Sequence, residues 1–159
     1  MSEENKPEKV KQKYEELRKR YDLPKFDDFN SEFEIVKADP DVNFSKELRR
    51  AVSQKLQAYA EWFEPVLNPN PSSLHSIVET KIFEKQELQP LFDLYKRLWH
   101  FIHVGLQASL QTEADEIKFV KLVWAEWPAL KAETARYVGR LADGWLEKSK
   151  EQEDSGYVG

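Results

Sequence analysis

The stretch Glu87–Gln111, ELQPLFDLYKRLWHFIHVGLQASLQ, limits the possible folds more than any other part of the chain. Leu88, Leu91, Phe92, Tyr95, Leu98, Trp99, Ile102, Leu106 and Leu110 recur at the spacing of an α-helix. A second apolar row, Leu94, Leu98, Phe101, Val104 and Ala108, widens the stripe over most of the cylinder. A helix apolar over that much of its circumference belongs among other helices rather than on a surface. What remains is a narrow polar seam of Asp93, Arg97, His100, His103, Gln107 and Gln111. The expected fold is all-α, an irregular single-domain bundle of about six helices around this central apolar helix. Pro90 is expected in its first turn, where a missing N–H matters least. Gly105, in its middle, is expected to let a neighbouring backbone come close.

The flanking sequence supplies the other helices. Pro7 opens one with a thin stripe of Val10, Tyr14, Leu17 and Tyr21. Asp22-Leu23-Pro24 reads as a cap followed by a first-turn proline, leading into a short helix with Phe26, Phe29 and Phe33 on one face. Glu34 to Lys37 reads as extended. Asn43 or Ser45 can cap a long helix whose stripe runs from Phe44 through Leu48, Val52, Leu56, Tyr59, Trp62 and Phe63 to Val66. Asn68-Pro69-Asn70-Pro71 stops it. Ser72 or Ser73 caps a short helix with Leu74, Ile77, Val78 and Ile82 inward, His75 and Glu79 outward. From Asp115 to Leu146 the apolar positions again keep helical spacing, with a kink or break expected at Trp127, before Pro128. The expected core is Leu48, Val52, Leu56, Tyr59, Phe63, Leu91, Leu98, Ile102, Leu106, Val120, Trp124 and Leu141. Residues 1–6 are expected to be disordered, 7–147 to form one helical domain, and 148–159 to fray.

Composition narrows the function classes. There is no Cys, so disulfides, zinc–thiolate sites and cysteine nucleophiles are excluded. No apolar run approaches the ~20 residues of a membrane span. The polar opening MSEENKPEKV is not a signal peptide, which points to a cytoplasmic chain. A formal net charge of −5 argues against nucleic acid as a partner. Lys9, Lys11, Lys13 and Arg18 could reach phosphates, but Glu8, Glu15 and Glu16 interleave with them and cancel much of the field. Glycine-rich phosphate loops, G-x-S-x-G and H-E-x-x-H are all missing, so the chain reads as a non-enzyme with no cofactor.

Two constellations could still carry function. His100 and His103 lie three apart, on one side of a helix, and could share a metal, with His75 and Glu79 supplying further ligands. H-x-x-H alone is common, and Lys96 and Arg97 beside it would repel a cation. Trp124, Trp127 and Tyr137 could line a pocket at the Pro128 break or anchor a protein partner, although aromatics at helical spacing ordinarily fill a core. The function expected from the sequence is a non-catalytic helical module that binds a protein partner or a second copy of itself. The alternative is a metal- or small-molecule-binding helical domain, enzymes included, built on the His100/His103 seam.

Overall fold

The computed structural model describes the backbone of residues 5–154 and the side chains of residues 5–147. It is all-α, with helices α1 (Lys6–Tyr21), α2 (Phe26–Phe33), α3 (Phe44–Leu67), α4 (Leu74–Ile82), α5 (Lys85–Ser109) and α6 (Glu113–Asp154). A 3₁₀ turn, Ile35–Lys37, follows α2, and there is no strand among the described residues. The chain divides into two compact units. The first takes in the chain through Gln57 together with His100–Glu126; the second takes in Ala58–Trp99 together with the chain from Trp127 onward. Helices α3, α5 and α6 therefore each contribute one part to each unit. Helix begins at Lys6 and runs to Asp154, inside the ends expected to be disordered or frayed. The rest of those two expectations, residues 1–4 and 155–159, lies outside the described residues.

In the first unit, α1 buries Val10, Tyr14 and Leu17. The Tyr14 ring meets Phe26 edge-on at 5.5 Å and stacks on Phe29 at 5.7 Å. Phe29 in turn touches Phe33 at 4.8 Å and Trp124 of α6 at 5.5 Å. The Tyr14 hydroxyl donates to the Pro24 carbonyl at 2.6 Å. Burial pushes its pKa well above the usual phenol value. Two non-glycine residues end helices in the left-handed region, Asp22 after α1 with φ 55° and Glu34 after α2 with φ 52°. Their backbone N–H groups close the last turns on Arg18 O at 2.9 Å and Asn30 O at 2.8 Å. Pro24 therefore stands in the connection, ahead of α2 rather than in its first turn. The segment after Glu34 is a 3₁₀ turn rather than extended chain, because the Asn30 side chain accepts the Val36 N–H at 2.8 Å.

In the second unit, α3 buries Tyr59, Ala60, Phe63 and Val66, and α5 buries Leu91, Leu94 and Leu98. Tyr59 stacks on Trp127 of α6 at 5.2 Å, and Phe63 meets Tyr137 edge-on at 6.0 Å. Helix α5 starts at Lys85, so Pro90 lies beyond the first turn expected for it. Its start is fixed by Glu87, which accepts the Glu84 N–H at 3.1 Å and is clasped by Arg140 at 3.1 and 2.9 Å. The same guanidinium donates to the Ile82 carbonyl at 3.0 Å. The Arg140 bonds hold the Glu87 carboxyl below the usual carboxylate range.

In each unit the neighbours gather on α3. In the first, α3 presents Arg49 to Glu116 of α6 and Ser53 to Gly105 of α5. In the second, the Pro65 carbonyl accepts from Ser76 of α4, and Glu64 accepts from Tyr95 of α5. Helix α5 is buried along one side only. Leu106, expected in the core, is 52% exposed, and Leu110 is 86% exposed. The physical reason is Gly105. A Cβ there would stand 2.8 Å from the Phe119 ring and 3.0 Å from Ser53 Oγ, so the tight face of the helix is the glycine face. What approaches Gly105 is a pair of side chains, not the backbone expected. Trp124, also expected in the core, is half-buried against Phe29 and Phe33.

Helix α6 passes through Pro128 without a break. A mid-helix proline forfeits one hydrogen bond and ordinarily disfavours the helix by ~3 kcal/mol. Trp127 and Leu130 flank it and are both buried, so packing on either side keeps the helix running while Pro128 faces out. Helix α4 is rotated from its expected orientation. Leu74 is 70% exposed and Ile77 is exposed, whereas Ser76, Val78, Glu79 and Ile82 are buried. Ser76 sets the rotation: its hydroxyl donates to Pro65 O at 2.7 Å and accepts from the Asn70 N–H at 2.8 Å.

Candidate functional site

The side chains named from the sequence are spread between the units. His100 and His103 are both exposed on the part of α5 that belongs to the first unit. His75 and Glu79 are on α4, in the second. Among the described residues no group of three or more His, Asp or Glu side chains converges as a metal site would. His75 and Glu79 do meet. His75 Nε2 lies 3.1 Å from Glu79 Oε1, and the Trp145 indole N–H donates to the same oxygen at 3.1 Å. The His75 and Trp145 rings lie 5.3 Å apart. Glu79 is 5% exposed, not outward as expected, and its Oε2 is buried with no hydrogen-bond partner among the described residues.

The three aromatics fall in different units. Trp124 packs on α2 within the first unit. Trp127 and Tyr137 are buried in the second, on Tyr59 and on Phe63 and Phe83 respectively. With so little ring surface exposed, Trp127 and Tyr137 act as core.

One open apolar surface lies where α5 ends and α6 begins, within the first unit. The turn is built by Thr112, whose hydroxyl and N–H donate to Asp115 Oδ2 at 2.7 and 3.2 Å, while Thr112 Oγ1 accepts the Asp115 N–H at 3.3 Å. This reciprocal cap fixes the first turn of α6. It also holds the Asp115 carboxyl below the usual carboxylate range. A groove of about 460 Å³ follows, with Val104, Ala108, Phe119 and Leu122 as its apolar lining. Gln107, Gln111, Asp115, Lys118 and Lys121 form its polar edge. Lys121 is tied back by donating to the Tyr21 carbonyl at 2.9 Å. Leu106 and Leu110, each immediately before a groove glutamine, are exposed one turn apart, and Leu122 is 45% exposed.

The sequence shows the helical spacing of these leucines but not which face they occupy. The deciding signal was Gly105, which marks the packed side of α5. The second missed feature is the buried pair Arg49–Glu116. Arg49 Nε donates to Glu116 Oε2 at 3.0 Å and Ser45 Oγ to Oε1 at 3.4 Å, with Glu116 1% exposed. In sequence, Glu116 looks like an ordinary first-turn charge.

No family model, no curated protein and no solved structure matches this chain. Among the described residues no helix is long and apolar enough to cross a membrane.

Proposed function

We propose that the chain is a non-catalytic helical interaction module whose contact surface is the end of α5 and the start of α6. The observation that carries this reading is an open groove lined by Val104, Ala108, Phe119 and the exposed Leu122, at the same end of α5 where Leu106 and Leu110 are also exposed. Large aliphatic side chains left in water on neighbouring helical turns gain ~25 cal/mol per Å² when another surface covers them. Grouped in this way they mark contact surfaces more often than chance exposure does. The polar edge of glutamines, lysines and an aspartate suits an interface whose rim stays wet.

The test is chemical cross-linking of the purified chain, alone and added to a cell extract, for wild type and for a Leu106→Glu/Leu110→Glu/Leu122→Glu variant. All three positions are exposed, so the variant is expected to keep its helix content by circular dichroism. Wild type should give cross-links from this surface, to another copy or to other chains, and the variant should lose them. Identical cross-links in the two proteins would overturn the proposal.

A further inference from the structure

We propose that His75, Glu79 and Trp145 form a pH-sensitive clasp, which holds the far part of α6 on α4 tightly in mild acid and more loosely above neutrality. It stands apart from the interaction reading, since none of the three lines the groove. His75 and Glu79 are four residues apart on α4 and so share one side of it. Gly144 brings α6 to them. A Cβ at Gly144 would stand 2.3 Å from the Ile82 side chain, so glycine is what lets the two helices close here, and Trp145 is carried to Glu79.

At the centre is a carboxylate that burial has left short of partners. Glu79 is 5% exposed. Its Oε1 accepts the Trp145 indole N–H at 3.1 Å, while its Oε2 is buried without a hydrogen-bond partner among the described residues. A buried carboxylate is costly unless a positive charge answers it. Among the described residues, the basic group within ion-pair distance is His75, whose Nε2 lies 3.1 Å from Oε1. The other charged groups nearby are engaged or solvated. Arg140 of α6 gives its guanidinium to Glu87 and the Ile82 carbonyl, and Arg136 donates to the Tyr137 hydroxyl. Glu64 of α3 accepts from Tyr95, and Lys81, Asp143 and Glu147 are exposed.

His75 is itself exposed and exchanges protons freely with solvent. Neutral, it can offer Glu79 one N–H. Protonated, it offers a charge as well, and charge-assisted hydrogen bonds are roughly twice as strong as neutral ones. The imidazole ring also lies 5.3 Å from the Trp145 ring, within the ~6 Å reach of cation–π attraction. In the folded chain, then, a proton on His75 sets a positive charge beside a carboxylate and an indole; in the unfolded chain it meets water. The extra hold is therefore present in acid and is lost as pH rises through about 6–7, where imidazoles shed their proton.

Exchange of the Trp145 indole N–H with solvent, followed by NMR on the full chain at about pH 5.5 and about pH 8, tests the clasp on either side of that range. The signal is the one lost in Trp145→Phe. After division by the intrinsic exchange rate at each pH, wild-type protection should be about fivefold higher in acid. His75→Gln should show the lower protection at both pH values, and Glu79→Gln should also abolish the difference. The Trp127 indole, buried in the same unit, should show no such change. Equal wild-type protection at the two pH values overturns the proposal. So does a difference that survives in His75→Gln, which would place it on another group such as His100 or His103, and so does an equal change at Trp127, which would mean general loosening. Because His75 is exposed, its replacement leaves the fold intact, and the His75→Gln result decides the matter even should Glu79→Gln fail to fold.

Discussion

Each unit buries a glutamate, and the two are treated differently. In the first, Glu116 has a guanidinium on one oxygen and a hydroxyl near the other. In the second, Glu79 has an indole N–H and an exposed imidazole on one oxygen, and its other oxygen is buried without a partner among the described residues. A buried carboxylate is tolerated when its charge and its lone pairs are met. Glu116 meets that condition and ties the start of α6 to α3. Glu79 meets it by half. Equal burial therefore says little about how firmly a charged side chain holds its neighbours; the number and kind of donors decide.

Arg49→Ala should show the largest effect. It leaves Glu116 buried without its counter-charge, and chemical denaturation should report a loss of ~3–5 kcal/mol. A loss under ~1 kcal/mol would show that water reaches Glu116 and that the contrast with Glu79 is smaller than drawn. Leu98→Ala comes next and sharpens the picture of the second unit. Leu98 is fully buried, and truncating it should cost ~2–5 kcal/mol in the same measurement. Glu79→Gln should have the smallest effect, within ~1 kcal/mol of wild type. The neutral amide keeps an acceptor for Trp145 while removing a buried charge that is only half satisfied. If it destabilises as much as Arg49→Ala, the two glutamates are equivalent and the comparison fails.

Much of the architecture is written in the spacing of apolar residues. The stripe of α3 from Leu48 to Phe63, except Trp62, which is exposed, and the aromatic face of α2 are buried where periodicity puts them. The failures share a cause: each turns on a specific contact that hydropathy does not encode. Leu106 is left exposed because Phe119 and Ser53 close on the Gly105 side of the helix. Leu74 and Ile77 look like the inner face of α4 until Ser76 binds the Pro65 carbonyl and turns the helix. Pro128 looks like a break, yet it is overridden by the burial of Trp127 and Leu130. The candidate surface was half legible. Leu106 and Leu110 are visible as helical positions, whereas their exposure depends on what fills the opposite face.

The acidic corners after α1 and α2 have a practical consequence. Side chains bearing a Cβ adopt the left-handed region at an energetic penalty of ~1–2 kcal/mol, which glycine escapes. Asp22 and Glu34 both carry that penalty. They are the places where a protein engineer seeking a hardier scaffold would begin, since glycine could relieve both bends without touching the groove.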